Sequence, residues 1–286
     1  MKHLGILLAA SLGTLADSRG ADAPRPPAES LTFSASFENG PDAEYAKGDA
    51  KLYVASSLKR DDAKPGLSTD LAIVKDQGKQ GGALRFLKQT GAAVYYKADK
   101  NLDYKAKDFQ GTISFRLKFD PETDLAPGYT DPLQITDRAW NDAAIWVDLS
   151  KDDHPRHFRL GGFPDLKVWN PTNADFEKMT PEQKPLFDAG KPPFGSDRWS
   201  HVAITFEHFN TGENNGAATL YLDGKRAGAL APRNQAFTWK TGQAAIMIGI
   251  NYKGLFDELM IFDRPLTESE IQKIGAEGSP LVPRVR

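Results

Sequence analysis

Three aromatic residues sit where the chain is polar and turn-like: Tyr129 after Pro127-Gly128, Trp140 before Asn141-Asp142, and Trp169 before Asn170-Pro171. A flat ring beside Asn141, Asp142 and Asn170 has what a sugar site needs, an apolar face for the C–H side of the sugar and acceptors for its hydroxyls. The same residues would serve equally to pin a long loop onto a core, and their types leave both readings open. Glycoside hydrolysis needs something else, two carboxylates held roughly 5–10 Å apart across the scissile bond. No run of acidic residues alternating with apolar ones supplies them. Asp257 and Glu258 are adjacent, so in a regular strand they point to opposite faces. Glu268 and Glu270 belong to a helix start, and there is no Gly-x-Ser-x-Gly elbow. No catalytic residue is assigned. The one His/Asp cluster, Asp152 to His157, reads better as a wet hairpin loop than as a metal or acid–base site.

The elements that must position these residues are strands. Ile113, Phe115, Leu117 and Phe119 alternate with Thr112, Ser114, Arg116 and Lys118, the pattern of a sheet with one face in the core. Leu31 to Phe37, Ala143 to Leu149, His157 to Leu160, Val202 to Phe206, Ala218 to Leu222 and Ala245 to Ile250 read the same way. Gly81 to Phe86 and Ala92 to Tyr96 are expected to form a hairpin. Asp223-Gly224 marks a two-residue hairpin turn, because both its central positions need positive φ. Near the C-terminus Thr267 and Glu270 form a capping box, and Leu266 with Ile271 a hydrophobic staple. From 161 to 197 the pattern dissolves into a Pro-, Asp- and Asn-rich insertion, with a short helix expected from Thr180-Pro181.

The chain has 286 residues, formal net charge −2 and no cysteine. Disulfides and thiolate metal sites are excluded, and there is no basic footprint for nucleic acid. Residues 1–23 read as a signal peptide: Lys2 and His3 precede an apolar stretch too short to span a bilayer, which takes about 20 residues. A soluble protein, secreted or periplasmic and without membrane insertion, is therefore expected. Residues 24–30 are a proline-rich linker without regular structure, 31–275 one domain, and 276–286 an irregular tail.

The run W-S-H-V-A-I-T-F from Trp199, then L-Y-L-D-G-K from Leu220, then G-L-F-D-E-L-M-I-F-D-R-P-L-T-E-S-E-I from Gly254 resembles the second half of a laminin-G-like domain. F-E-N-G-P-D-A from Phe37 and G-A-L-R-F from Gly82 are similar to that family's first half. The resemblance implies an all-β, concanavalin A-like jelly-roll sandwich of two antiparallel sheets with one short C-terminal helix. It implies a non-catalytic glycan-binding or adhesion module; the alternatives are a carbohydrate-active enzyme with an unrecognised catalytic set and a protein–protein module of the cell envelope. It places Trp199 across the sandwich, and it suggests one structural calcium ion between Asp257 on the last strand and Glu38 and Gly40 after the first. Strand parity puts Asp257 on the core face with Leu255, Leu259 and Ile261, leaving Phe256, Met260 and Phe262 for the helix to cover.

Overall fold

A computed structural model describes Met1 and residues 25–277; the signal-peptide expectation and the end of the tail lie outside the described residues. Two antiparallel sheets face each other. The first orders its strands Lys225–Ala229, Ala217–Leu222, Ser200–Phe209, Phe109–Lys118, Gly254–Phe262, Leu31–Ala35 and Tyr45–Ala46, with Ala83–Phe86 and Leu71–Val74 continuing from the start of Gly254–Phe262. The second orders Leu186–Asp188, Phe158–Phe163, Ala144–Leu149, Thr130–Thr136, Ala245–Ile250, Ala93–Lys97, Tyr53–Ala55 and Lys64–Pro65. Ile113, Phe115, Val202 and Ile204 from one sheet meet Ile145, Val147, Ile246 and Ile248 from the other in a single buried cluster. This is the expected jelly-roll sandwich.

The C-terminal helix, Glu268–Glu277, starts as its sequence dictates. Thr267 N–H donates to Glu270 Oε2 at 2.8 Å, and Glu270 N–H returns to Thr267 Oγ1 at 3.3 Å. The helix lays Ile271 and Ile274, with Leu266, onto Leu31, Ala203, Tyr221, Met260 and Phe262, so the outer face of the first sheet is covered as expected. Arg116, on that outer face, donates to the carbonyls of Ile274 and Gly275 at 2.9 and 3.0 Å and pairs with Glu258, tying the helix end to the sheet. Asp223 and Gly224 both have positive φ, 49° and 76°, in the expected tight turn between Leu222 and Lys225.

Several expectations fail for physical reasons. Ala83–Phe86 and Ala93–Lys97 form no hairpin; they lie in opposite sheets, because two strands facing each other across a core show the same alternation as two strands that pair. Glu258 takes φ 50° in a bulge of the last strand, so Phe256, Leu259 and Ile261 join the core while Leu255 and Asp257 do not. Strand parity carries no further than such a bulge. Asp257 is buried instead beneath the 78–82 loop, whose Lys79 N–H reaches its Oδ2 at 2.7 Å. The insertion is more regular than its composition suggests: Phe158–Phe163 runs past its expected end and Leu186–Asp188 adds an edge strand. Pro181–Gln183 is only a turn, and the short helical pieces are Leu166–Trp169 and Phe176–Lys178. The linker contains one helical turn, Pro27–Ser30, and Arg25 pairs with Asp263 at 2.6 Å. At the other end the helix runs two residues past the expected domain boundary of 275.

Candidate functional site

The outer face of the second sheet carries a cavity of about 380 Å³. Its floor comes from strand positions that alternate with the core. Ile145, Val147 and Leu149 point inward, so Trp146 and Asp148 point out; Met247, Gln134, Trp146 and Gly161 stand side by side across four strands. Gly161 is required there, because any Cβ would lie 2.2 Å from the Trp146 indole. Walls rise from the loops: Tyr129, Arg138, Trp140, Phe176, Glu177 and Leu58.

The walls are held by contacts among aromatic residues. Trp140 meets the rings of Phe163 and Phe176 edge-on, both at 5.5 Å, and remains 44% exposed on its cavity side. Trp146 stacks on Phe163 at 5.3 Å and donates its indole N–H to the Trp140 carbonyl at 2.9 Å. Trp169 does not line the cavity. It packs against Phe163 and Phe176, and its indole N–H donates to the Asn141 carbonyl at 2.9 Å. Asp142 accepts the Leu166 N–H at 2.8 Å, and Asn170 closes its own loop through two bonds to Ala174. Of the six residues singled out in the sequence, Tyr129 and Trp140 therefore face the cavity, while Asn141, Asp142, Trp169 and Asn170 brace the insertion behind it.

Two carboxylates stand together on the floor. The register between Thr130–Thr136 and Ala144–Leu149 slips so that Asp148 lies opposite the step Asp131-Pro132. Arg159 grips Asp148 through Nε at 2.8 Å and through its terminal nitrogen, and its guanidinium sits 5.1 Å over the Tyr129 ring. The Asp131 carboxyl makes no hydrogen bond within the described residues. Enclosure by the cavity, and second the Asp148 charge, hold it well above the usual carboxylate range. Burial also pushes Asp148 up, against the pull of Arg159. Both carboxyls are thus shifted upward, and only Asp148 has a cationic partner. Outward parity of Trp146 and Asp148 was visible in the sequence; their meeting with Asp131 and Arg159 was not.

At the other candidate place, Asp257 is fully buried, with Oδ1 accepting the Glu258 N–H and Oδ2 that of Lys79, both at 2.7 Å. Burial, the Glu258 charge and the Glu38 charge raise its pKa to about 8 against those bonds. Glu38 Oε2 accepts the Gly82 N–H at 3.1 Å, and no hydrogen bond joins Gly40 to either carboxylate. Among the described residues no group of three or more His, Asp or Glu converges as a metal cluster. The His/Asp cluster of the sequence divides: His154 meets Glu122 at 3.2 Å and His157 meets Asp188 at 2.9 Å, both near the surface. His201 is buried, bonded to Ser114 Oγ at 2.9 Å, and burial lowers its pKa to about 3, which makes it a neutral structural group.

The comparisons with known proteins agree with this two-sheet sandwich at the level of fold. Residues 136–272 match a laminin-G-like family model described as the concanavalin A-like lectin/glucanases superfamily. It is similar to domain 4 of an extracellular GH43 arabinanase from Geobacillus stearothermophilus in complex with arabinotriose, at 19% identity and TM-score 0.54, covering 86% of this chain and 98% of that one. It is also similar to the binding domain of botulinum neurotoxin DC in complex with SialylT, at 14% identity and TM-score 0.55, covering 87% of this chain and 52% of that one. Trypanosoma rangeli sialidase in complex with sialic acid gives 14% identity and TM-score 0.53, covering 94% of this chain and 36% of that one. The chain thus spans about half of the toxin binding domain and about a third of the sialidase. No curated protein matches the sequence.

Proposed function

We propose that this protein is an exported carbohydrate-binding module whose site is the cavity on the outer face of the second sheet. The observation that carries this reading is the joining, in one cavity of about 380 Å³, of the exposed rings of Tyr129 and Trp140 with the unspent polar groups of Asp131 and Gln134. The volume falls within the range of small-ligand sites, roughly 300–1,000 Å³, and suits a short oligosaccharide or a chain end. The neighbours' bound arabinotriose and sialic acid lend general support. A glycan array on the protein lacking residues 1–23 identifies the ligand. Trp140→Ala should then weaken binding about tenfold, whereas Trp169→Ala should lower the melting temperature more than the affinity. Equal binding by Trp140→Ala and the parent would reject the site.

A second reading rests on one observation. Asp131, its pKa pushed up by burial and the Asp148 charge, stands beside the Arg159-bound Asp148, and two carboxyls in unlike environments are how a general acid and a base or nucleophile share a glycosidase site. Release of reducing sugar from the array's best glycan, abolished by Asp131→Asn, would make the protein an enzyme; binding without release keeps it a lectin.

A structural calcium ion between Asp257 and Glu38 is a separate proposal. Each Asp257 oxygen accepts one amide and retains a lone pair, Glu38 keeps Oε1, and the two charges already sense each other.

A further inference from the structure

The first sheet has its own opening, where the covering helix and the 75–82 loop end. Leu255 pairs with both Lys118 and Arg85, so these three side chains form one row across three strands on the outer face, with Leu117, Phe256, Leu84 and Phe86 pointing inward between them. Trp199, one residue before the strand that pairs with Phe109–Lys118, stands at the end of this row. It is half-buried and belongs neither to the buried core nor to any ring–ring contact, contrary to the cross-sandwich packing its motif implied. Lys253 approaches from the start of the last strand. Together they line a groove of about 700 Å³.

The charges in this groove are uncommitted. Arg85, Lys118 and Lys253 form no ion pair with any described carboxylate, although the chain is rich in such pairs elsewhere. Two carboxylates share the groove: Asp124 spends Oδ2 on the Asp120 N–H at 2.8 Å, and Asp76, with Gln77, stands on the loop at the rim. The Trp199 indole N–H makes no hydrogen bond within the described residues.

We propose that this groove is a second binding site, distinct from the aromatic cavity on the other sheet, and that it takes an acidic sugar residue. The free Trp199 face would carry the C–H side of the ring. Lys118, Arg85 and Lys253 would hold the anionic group, and Asp76 and Gln77 would accept hydroxyls. A carboxylate and a sulfate ester are both recognised by this chemistry. The site is independent of the glycan cavity proposed above, and the two can fail separately.

The test is titration calorimetry on the full exported chain with a galacturonate trimer, a sulfated disaccharide and the glycan that the array selects for the other cavity. Arg85→Gln/Lys118→Gln should weaken acidic binding about tenfold or more, and the parent's acidic affinity should fall as salt rises. Binding of that glycan, weakened in Trp140→Ala, should stay unchanged in the double variant, which also reports that it folds. Trp199→Leu should weaken acidic binding while Trp140→Ala leaves it intact. Binding of only one acidic probe assigns the anion. Binding of neither, or acidic binding that survives the double variant or depends on Trp140, overturns the proposal.

Discussion

The residue with the least ordinary chemistry is Asp257, a carboxyl with no exposed surface that two backbone amides satisfy. Its pKa, raised chiefly by burial from an ordinary carboxylate's 3.8 to about 8, lies above that of the unfolded chain. Its stabilising contribution is therefore complete below pH 3.8 and is lost as pH rises through about 8. Asp257→Asn removes that titration. In urea melts with EDTA present, the parent's stability advantage over Asp257→Asn should shrink steadily between pH 4 and 8; a difference constant across that window would show an ordinary carboxylate. Sequence parity identified this residue as buried and placed it on the wrong side of its strand. The bulge at Glu258 is the cause: one residue with φ 50° resets the alternation, and nothing in Leu255-Phe256-Asp257-Glu258-Leu259 marks it.

At the scale of elements, the C-terminal helix is held by its own cap and by what it covers. Ile271 and Ile274 are 0% and 4% exposed, against Met260, Phe262 and Leu31. Ile271→Ala should cost about 2–5 kcal/mol, the range for a large buried side chain cut to alanine. Deleting 266–286 should expose the whole apolar patch and leave the Arg116–Glu258 pair partly uncovered, giving dye-binding, poorly soluble protein. A truncated chain with the parent's melting temperature would mean the helix is an ornament. This element was legible in the sequence because its signals are local: cap, capping-box partner and staple lie within six residues, Leu266 to Ile271. The insertion was not, since its edge strand, Leu186–Asp188, exists only by pairing with Phe158–Phe163.

For the whole molecule, the calcium proposal predicts a linkage. An ion bound by the folded chain alone should raise the melting temperature by about 5 °C or more at saturating concentration, with EDTA reversing the gain. The same ion would hold Asp257 ionised, so the pH dependence described for that residue should vanish when calcium is present. A melting temperature indifferent to both additions, in protein shown by elemental analysis to be metal-free, would leave Asp257 with its amides alone.

The sequence by itself determined the material of this fold: period-two strands, the Asp223-Gly224 turn, the capped helix and three motifs in the order of the laminin-G-like jelly roll. Each depends on neighbours a few residues apart, where alternation and φ preference act directly. The tertiary structure decided which strands pair, which merely face each other, and what meets on the outer faces. The cavity joins Leu58, Tyr129, Trp140, Asp148, Arg159 and Phe176, and the opposite groove joins Arg85, Lys118, Trp199 and Lys253. Such sets arise from registers between strands distant in the chain. A shift of one residue in any of those registers would turn every one of that strand's side chains to the other face.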